Sequence, residues 1–350
     1  MTVPAPLLRL EDVEVTYRRP DGVAVRAVRR ASLDVNAGEV VGLVGESGCG
    51  KSSLGRAAVG LERLTAGSVS FQGQPVTALG RHPRPAALRR LQLLFQDPYS
   101  SLNPRRKVGH QLADGLRASG EAATPARIEE LLDLVAMPSS AADHYPHEFS
   151  GGQRQRLAIG RALAARPLVL IADEPVSALD ASAQATIVTL LGELRDETGI
   201  GILFISHDLG VVRQIAQKVA VMYLGKIVEI GAIDAVWRRP CHPYTEALIA
   251  AAPLADGAGR LPAGLAGEVP DPSAPPSGCS FHPRCPLADA ECTAVDPPPL
   301  RIDDDHVADD RAGNDRAGND RADDDHVARC LFALRPAPST ARDTDREMSP

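Results

Sequence analysis

One octapeptide constrains this chain more than any other feature. Gly45-Glu46-Ser47-Gly48-Cys49-Gly50-Lys51-Ser52 satisfies the pattern G-x-x-x-x-G-K-[ST], follows the apolar run Val40–Val44 and opens the helical stretch SSLGRAAVGL. Its glycines let successive backbone N–H groups turn inward around phosphates, and the helix that begins there adds the positive end of its dipole. In that arrangement Lys51 reaches the β- and γ-phosphates, Ser52 ligates Mg²⁺, and Ser53 lies beside them in the same turn. A strand, a loop and a helix in this order call for an α/β core.

The complementary half of such a site is a buried strand that ends in a carboxylate. Leu168–Ala172 runs into Asp173 and Glu174, and Pro175 stops the strand. Asp173 is placed to hold Mg²⁺ through its water shell, and Glu174 to orient and deprotonate an attacking water. From Leu7 to about Pro253, short β-branched runs alternate with longer helical patterns. Candidate strands are Leu8–Tyr17, Val40–Val44, Ser68–Phe71, Leu91–Phe95, Val169–Ala172, Gly201–Ser206 and Val219–Tyr223. Between Asp97 and Arg166 the strand pattern vanishes, and the apolar spacing of IEELLDLVAM and QRLAIGRALAA predicts a helical insertion.

Composition sets the outer bounds. With 350 residues, 44% of them apolar and 24% charged, the chain has room for two or so domains and is neither disordered nor collagen-like. No run approaches the roughly 18 apolar residues of a membrane span, and the first residues lack a basic and then apolar leader, which predicts a soluble, cytoplasmic chain. Six cysteines are too sparse for a disulfide scaffold. Cys49 and Cys241 stand alone, whereas Cys279, Cys285, Cys292 and Cys330 share one region.

Beyond Pro253 the sequence divides into a Pro/Gly-rich linker over 256–278, a cysteine-bearing extension over 279–335 and a disordered tail over 336–350. Inside the extension DDDHVA occurs at Asp303–Ala308 and again at Asp323–Ala328, with DRAGN twice in tandem at Asp310–Asn314 and Asp315–Asn319. The segment Asp303–Ala328 holds ten aspartates and three arginines, so it alone accounts for the formal net charge of -7. The acidity therefore belongs to a solvated insert, and the neutral remainder gives no sign of a nucleic-acid partner.

Phe149-Ser150-Gly151-Gly152-Gln153-Arg154-Gln155-Arg156 separates one family from other phosphate-loop proteins, and through it the chain resembles the ATP-binding subunits of ABC transporters. Ser150 and two glycines opening a helix make an anion site without a lysine, suited to a γ-phosphate presented by another subunit. The resemblance covers about residues 7–253 and implies a RecA-like P-loop core with an antiparallel β subdomain, the helical insertion and a small loop-rich C-terminal extension. It also implies roles for single residues. Tyr17 matches the aromatic that stacks on adenine, and Gln96 the glutamine that touches Mg²⁺ and the attacking water. Asp180, in Ser177-Ala-Leu-Asp180, matches the loop that crosses to the opposing subunit, and His207 the switch that contacts γ-phosphate and steadies the base. Ser150, Gly151, Gly152 and Gln153 would face the partner's ATP. The ATP site proper would run over Tyr17 and Gly45–Ser53, with Ser52, Gln96 and Asp173 as the Mg²⁺ set.

FQDPYSSLNPRRKVG, YPHEFSGGQRQR, CHPYTEAL and CSFHPRCPLADAEC look like the oligopeptide/dipeptide importer branch, which includes nickel importers. GESGCGKS followed by LGR looks like the dipeptide "F-type" ATPase. That resemblance implies a second ATPase, different or identical, two membrane permeases, an extracytoplasmic binding protein reached indirectly, and a peripheral place on the cytoplasmic face of the membrane. It also implies that the tail can hold a cysteine-ligated iron–sulfur cluster, [4Fe–4S], on Cys279, Cys285, Cys292 and Cys330. Four thiolates equally suit tetrahedral zinc, and free structural thiols are the third reading. The insert lengthens the Cys292–Cys330 loop by about 20 residues, which costs only about 0.7 kcal/mol by the logarithmic closure rule. Rivals to peptide import are a nickel or other small-solute importer, a soluble ABC ATPase acting on ribosomes or DNA, and a metal- or redox-sensing regulator. Against the last two stand one phosphate loop, no sustained heptads and a complete hydrolytic set.

Overall fold

The computed structural model describes residues 5–80, 84–97, 101–252, 267–302 and 326–333. The first half of the linker, the first DDDHVA copy, both DRAGN units and the tail over 336–350 lie outside the described residues. A four-stranded antiparallel sheet is formed by β1 (Leu8–Arg18), β2 (Ala24–Val35), β4 (Ala66–Phe71) and β5 (Gln74–Pro75), in the order β2-β1-β4-β5. The larger sheet has a parallel centre of β3 (Val40–Val44), β6 (Leu91–Leu94), β7 (Val169–Asp173), β8 (Gly201–Ser206) and β9 (Lys218–Tyr223), in the order β9-β3-β8-β7-β6. Beyond β9 its edge turns antiparallel through β10 (Lys226–Ala232), β12 (Val327–Ala328) and β11 (Leu300–Arg301).

Strand alternation divides the apolar side chains between two cores. Val41, Leu43, Val169, Ile171, Leu203 and Ile205 face the antiparallel sheet and α1 (Lys51–Ala58), which contributes Leu54, Ala57 and Ala58. Their neighbours Val40, Val44, Leu170, Ala172, Ile202 and Phe204 face the opposite layer. That layer contains α2 (Val108–Ser119), α3 (Pro125–Leu134), α4 (Gly151–Leu163), α5 (Ala181–Thr198), α6 (Leu209–Arg213), α7 (Ile233–Arg238) and α8 (Pro243–Ala251). Both faces are covered, so the central strands β3, β7 and β8 are buried throughout and read as near-continuous apolar runs. Each such side chain contributes about 1.5–3 kcal/mol relative to exposure. The expected helical insertion contains α2, α3 and α4.

Two long strands were not expected from the sequence. Within β2 the buried residues Val28 and Ala31 are three apart because the register slips there and Arg30 takes a left-handed φ of 53°. That bulge destroys the two-residue period on which a strand assignment rests. In β10 the obstacle is Glu229, fully buried in mid-strand.

Glu229 also explains how the extension is attached. Its carboxylate accepts N–H bonds from Cys241 (2.8 Å) and His242 (3.0 Å), and lies 2.8 Å from Nε2 of His326, which immediately precedes β12. A desolvated carboxylate needs such donors, so the chain entering β12 is held to β10 by this side-chain contact as well as by ladder bonds. The extension packs through Phe281 as well, whose ring lies 5.2 Å from Tyr223, 5.4 Å from Tyr244 and 5.7 Å from His242. It contains α9 (Ala290–Ala294), capped by the Asp289 carboxylate on Cys292 N–H.

Candidate active site

The loop between β3 and α1 is shaped by glycines that nothing else can replace. Gly50 sits at φ 108°, where an added Cβ would lie 2.1 Å from the Ala27 carbonyl oxygen. Gly45, at φ 155°, would place its Cβ equally close to the Met222 carbonyl. Around Gly48 no atom of the described residues beyond its chain neighbours lies within 4 Å of such a Cβ, so the loop is braced beneath and open above. Lys51 is buried and its Nζ donates to the carbonyls of Gly45 (2.7 Å) and Glu46 (3.0 Å), spanning the loop that it would otherwise extend over. Ser47 and Gly48 are exposed at the lip. Cys49 is buried, and burial pushes its thiol up, so it packs as a small apolar group and not as a thiolate. Tyr17 leans from β1 toward α1 and donates its hydroxyl to Ser53 Oγ at 3.1 Å.

Adjacent carboxylates at the end of β7 are put to different uses. Asp173 is buried and accepts from Ser52 Oγ at 2.8 Å, while desolvation pushes its carboxyl above the usual range. A desolvated carboxylate beside a hydroxyl fits a hard, oxygen-seeking cation, so Ser52 and Asp173 suit Mg²⁺. Glu174 takes a left-handed φ of 46°, strain that persists only where the surroundings hold it. Its N–H is fixed on Ile205 O at 3.0 Å. On its Oε2 Gln96 donates from Nε2 at 2.9 Å, and His207 Nδ1 lies 3.7 Å away. Gln96, Asp173, Glu174, His207 and Ser52 thus come together from β6, β7, β8 and α1.

Ser150 caps α4, accepting from Gln153 N–H at 3.4 Å while Gln153 Oε1 accepts from Ser150 N–H at 2.9 Å. Gly151 and Gly152 fill the first turn against Leu179 and Ala183, and both Ser150 and Gln153 face solvent. Asp180 caps α5 with Oδ1 bonds from Ser182 N–H (3.1 Å) and Ala183 N–H (2.9 Å), which hold its carboxyl below the usual range. Between β6, α2 and α4 lies a groove of about 860 Å³ lined by Leu93, Ser101, Arg105, Asp114 and Arg161 among others.

Two supports of the loop were invisible to sequence reasoning. Tyr244 accepts Glu46 N–H on its hydroxyl at 2.8 Å, and Arg284 grips the Glu46 carboxylate with both terminal nitrogens, at 2.6 and 3.0 Å. Their only signals were the segments CHPYTEAL and CSFHPRC, whose contacts lie some 200 residues away in the chain. The four clustered cysteines form no disulfide, and burial first and then the charges of Cys279, Cys285 and Cys292 push the Cys330 thiol to about 11. Among the described residues, the group of metal-capable side chains drawn within 4.8 Å is instead Glu229, Cys241 and His326. Cys241, which the sequence left alone, joins that group, and burial pushes its thiol to about 12.

Known proteins resemble this arrangement. A family model described as "ABC transporter" matches residues 28–177, and one described as "Oligopeptide/dipeptide transporter, C-terminal region" matches residues 228–292. A Sinorhizobium fredii protein named as a probable peptide ABC transporter ATP-binding protein is 51% identical over 295 residues, 82% of each chain. A Brucella abortus protein named for peptide import and ATP binding is 48% identical over 291 residues, 81% of this chain and 86% of the relative. The dimeric ATP-binding cassette MJ0796, solved with ADP and phosphate, superposes with a TM-score of 0.57 at 26% identity, over 65% of this chain and 98% of that one. No helix among the described residues is long and apolar enough to cross a membrane.

Proposed function

The chain belongs to the family of ATP-binding subunits of ABC transporters, and on that premise we propose that it drives uptake of oligopeptides or dipeptides as half of an ATP-sandwich dimer. The family hydrolyses ATP, and this chain is an ATPase of that kind. The observation that carries the residue assignment is the pair of contacts on Glu174 Oε2, from Gln96 and His207, which leave Oε1 to accept the proton of the attacking water. Gly45–Ser53 hold the triphosphate by backbone N–H groups, with Lys51 swinging from its carbonyl partners to the β- and γ-phosphates. Tyr17 stacks on the adenine. Ser52, Gln96 and Asp173 would hold magnesium, which when bound screens the phosphate charge. Ser150 and the N–H groups of Gly151–Gln153 then face the γ-phosphate of the opposite subunit, and Asp180 crosses to it.

Peptide import is supported by the names of the relatives and by the match to the oligopeptide/dipeptide C-terminal region. It requires two membrane permeases, for which the groove beside Leu93 and Arg161 is the docking place, and a second ATPase, identical or different. An extracytoplasmic binding protein delivers the peptide, and the subunit sits on the cytoplasmic face of the membrane. We take the ATPase domain as 1–255, with its helical part at about 97–166, the linker as 256–278 and the extension as 279–335. In the extension Cys279, Cys285, Cys292 and Cys330 would hold a [4Fe–4S] cluster or tetrahedral zinc, a reading that rests on the resemblance of the tail.

Glu174→Gln should lower kcat at least about 10³-fold while trapping an ATP-bound dimer, read by single-turnover kinetics and light scattering. Normal turnover in that variant would remove Glu174 from the base role. Reconstitution with the permeases and binding protein should give hydrolysis stimulated by di- or oligopeptides; stimulation by nickel alone would replace the substrate. Anaerobically purified protein should contain four iron atoms and absorb in the visible, and colourless, iron-free protein would sink the cluster.

A further inference from the structure

Glu46 puts a carboxylate on the very loop that must receive a triphosphate. The pattern G-x-x-x-x-G-K-[ST] leaves that position open, so the negative side chain is a problem that the fold has to solve. Its N–H is already committed to Tyr244, and its carbonyl to Lys51. The carboxylate is gripped by both terminal nitrogens of Arg284, whose side chain is only 3% exposed and lies over the rings of Tyr223 and Phe281. Arg284 belongs to the extension and stands immediately before Cys285, in a short turn whose carbonyl at Cys279 accepts from His282 N–H.

We propose that Arg284 is a positioning residue of the ATP site, by which the cysteine-bearing extension neutralises Glu46, holds it away from the phosphates and so sets nucleotide affinity. The bidentate pair is the strong form of such a contact, and the guanidinium cancels a charge that would repel the incoming phosphates. The extension is then part of the ATP-binding half of the site, and an event that shifts the turn between Cys279 and Cys285 reaches the loop through Arg284, beside the ring contact of Phe281 on Tyr244. This inference rests on the reading of Gly45–Ser52 as the phosphate loop.

The test uses the full chain and titrates a fluorescent ATP analogue with magnesium, with melting temperature followed in parallel. Arg284→Ala should weaken binding about tenfold and raise KM by a similar factor, with kcat at saturation changed less than twofold. The penalty should shrink as salt rises from 50 to 500 mM, as a screened repulsion does. Arg284→Ala combined with Glu46→Gln should return affinity to within about threefold of the parent, because the repelling carboxylate is gone, even if the extension is less well anchored. A double variant as weak as Arg284→Ala alone, or an Arg284→Ala variant that binds like the parent, would overturn the proposal. If the parent itself binds no nucleotide while Lys51→Ala behaves identically, the phosphate-loop reading fails instead, which is a separate result.

Discussion

The phosphate loop and the signature turn are both glycine-bearing helix starts, yet the chain treats them in opposite ways. The loop at α1 is buried below and braced from three sides, by Ala27 of β2, by Met222 of β9 and by Tyr244 and Arg284 from the far end of the chain. The turn at α4 is exposed, and its capping groups bond to each other. One is finished within the subunit. The other lies open at the surface, and the cassettes that this chain resembles are dimeric.

The largest expected effect tests that contrast by the same substitution at both places. Gly50→Ala forces a side chain into a left-handed φ and against a carbonyl oxygen, which should cost about 4 kcal/mol in urea unfolding and abolish nucleotide binding. Gly151→Ala has room, its Cβ meeting only Leu179 at 3.6 Å. It should leave the unfolding midpoint and ATP binding unchanged and lower dimer turnover about tenfold. Equal destabilisation by the two would erase the distinction between a braced and an open helix start.

What was legible in the sequence follows the same division. The parallel strands, the loop and the Asp173–Glu174 step could be read because apolar runs covered on both faces are continuous and their motifs are local. The signature and the Gln96–Glu174–His207 constellation were placed by resemblance, since their meeting depends on the order of β6, β7 and β8. The bracing could not be read. Arg284 and Glu46 are 238 residues apart, and β10 hides behind a buried glutamate whose partners come from α8's approach and from the last residues of the acidic repeat, where His326 and Ala328 are buried and not solvated as expected. Long-range polar contacts leave no periodicity in a sequence.

That bracing is also where acid should act next most strongly. His242 is fully enclosed, and burial lowers its pKa from 6.5 to about 4, with the Glu229 charge opposing the shift only in part. Its Nδ1 accepts from Tyr244 N–H, which requires the neutral ring. Below pH 6.5 the unfolded chain takes up a proton that the folded chain refuses until about pH 4, so stability falls across that window and levels off beneath it. The loss reaches about 3 kcal/mol. Because Tyr244 supports Glu46, hydrogen exchange at the phosphate loop should rise over the same pH range while exchange in α4 does not. Uniform acceleration in both would mean that the two halves unfold as one unit and that the bracing is not separate.

The smallest effect separates anchoring from chemistry at the signature. Ser150 Oγ is 3.4 Å from Gln153 N–H, a long bond for a helix cap, and the reciprocal Gln153 side-chain bond survives its loss. Ser150→Ala should therefore cost only about 0.5 kcal/mol, below the usual range of about 1 for a cap. A hydroxyl retained for stability would give the larger value and leave turnover alone. A hydroxyl retained to meet a phosphate from the other subunit would give the smaller one, with nucleotide binding to the isolated subunit unchanged and cooperative hydrolysis in the dimer lowered. Measuring unfolding, binding and turnover on this one variant decides whether the open helix start is open for a reason.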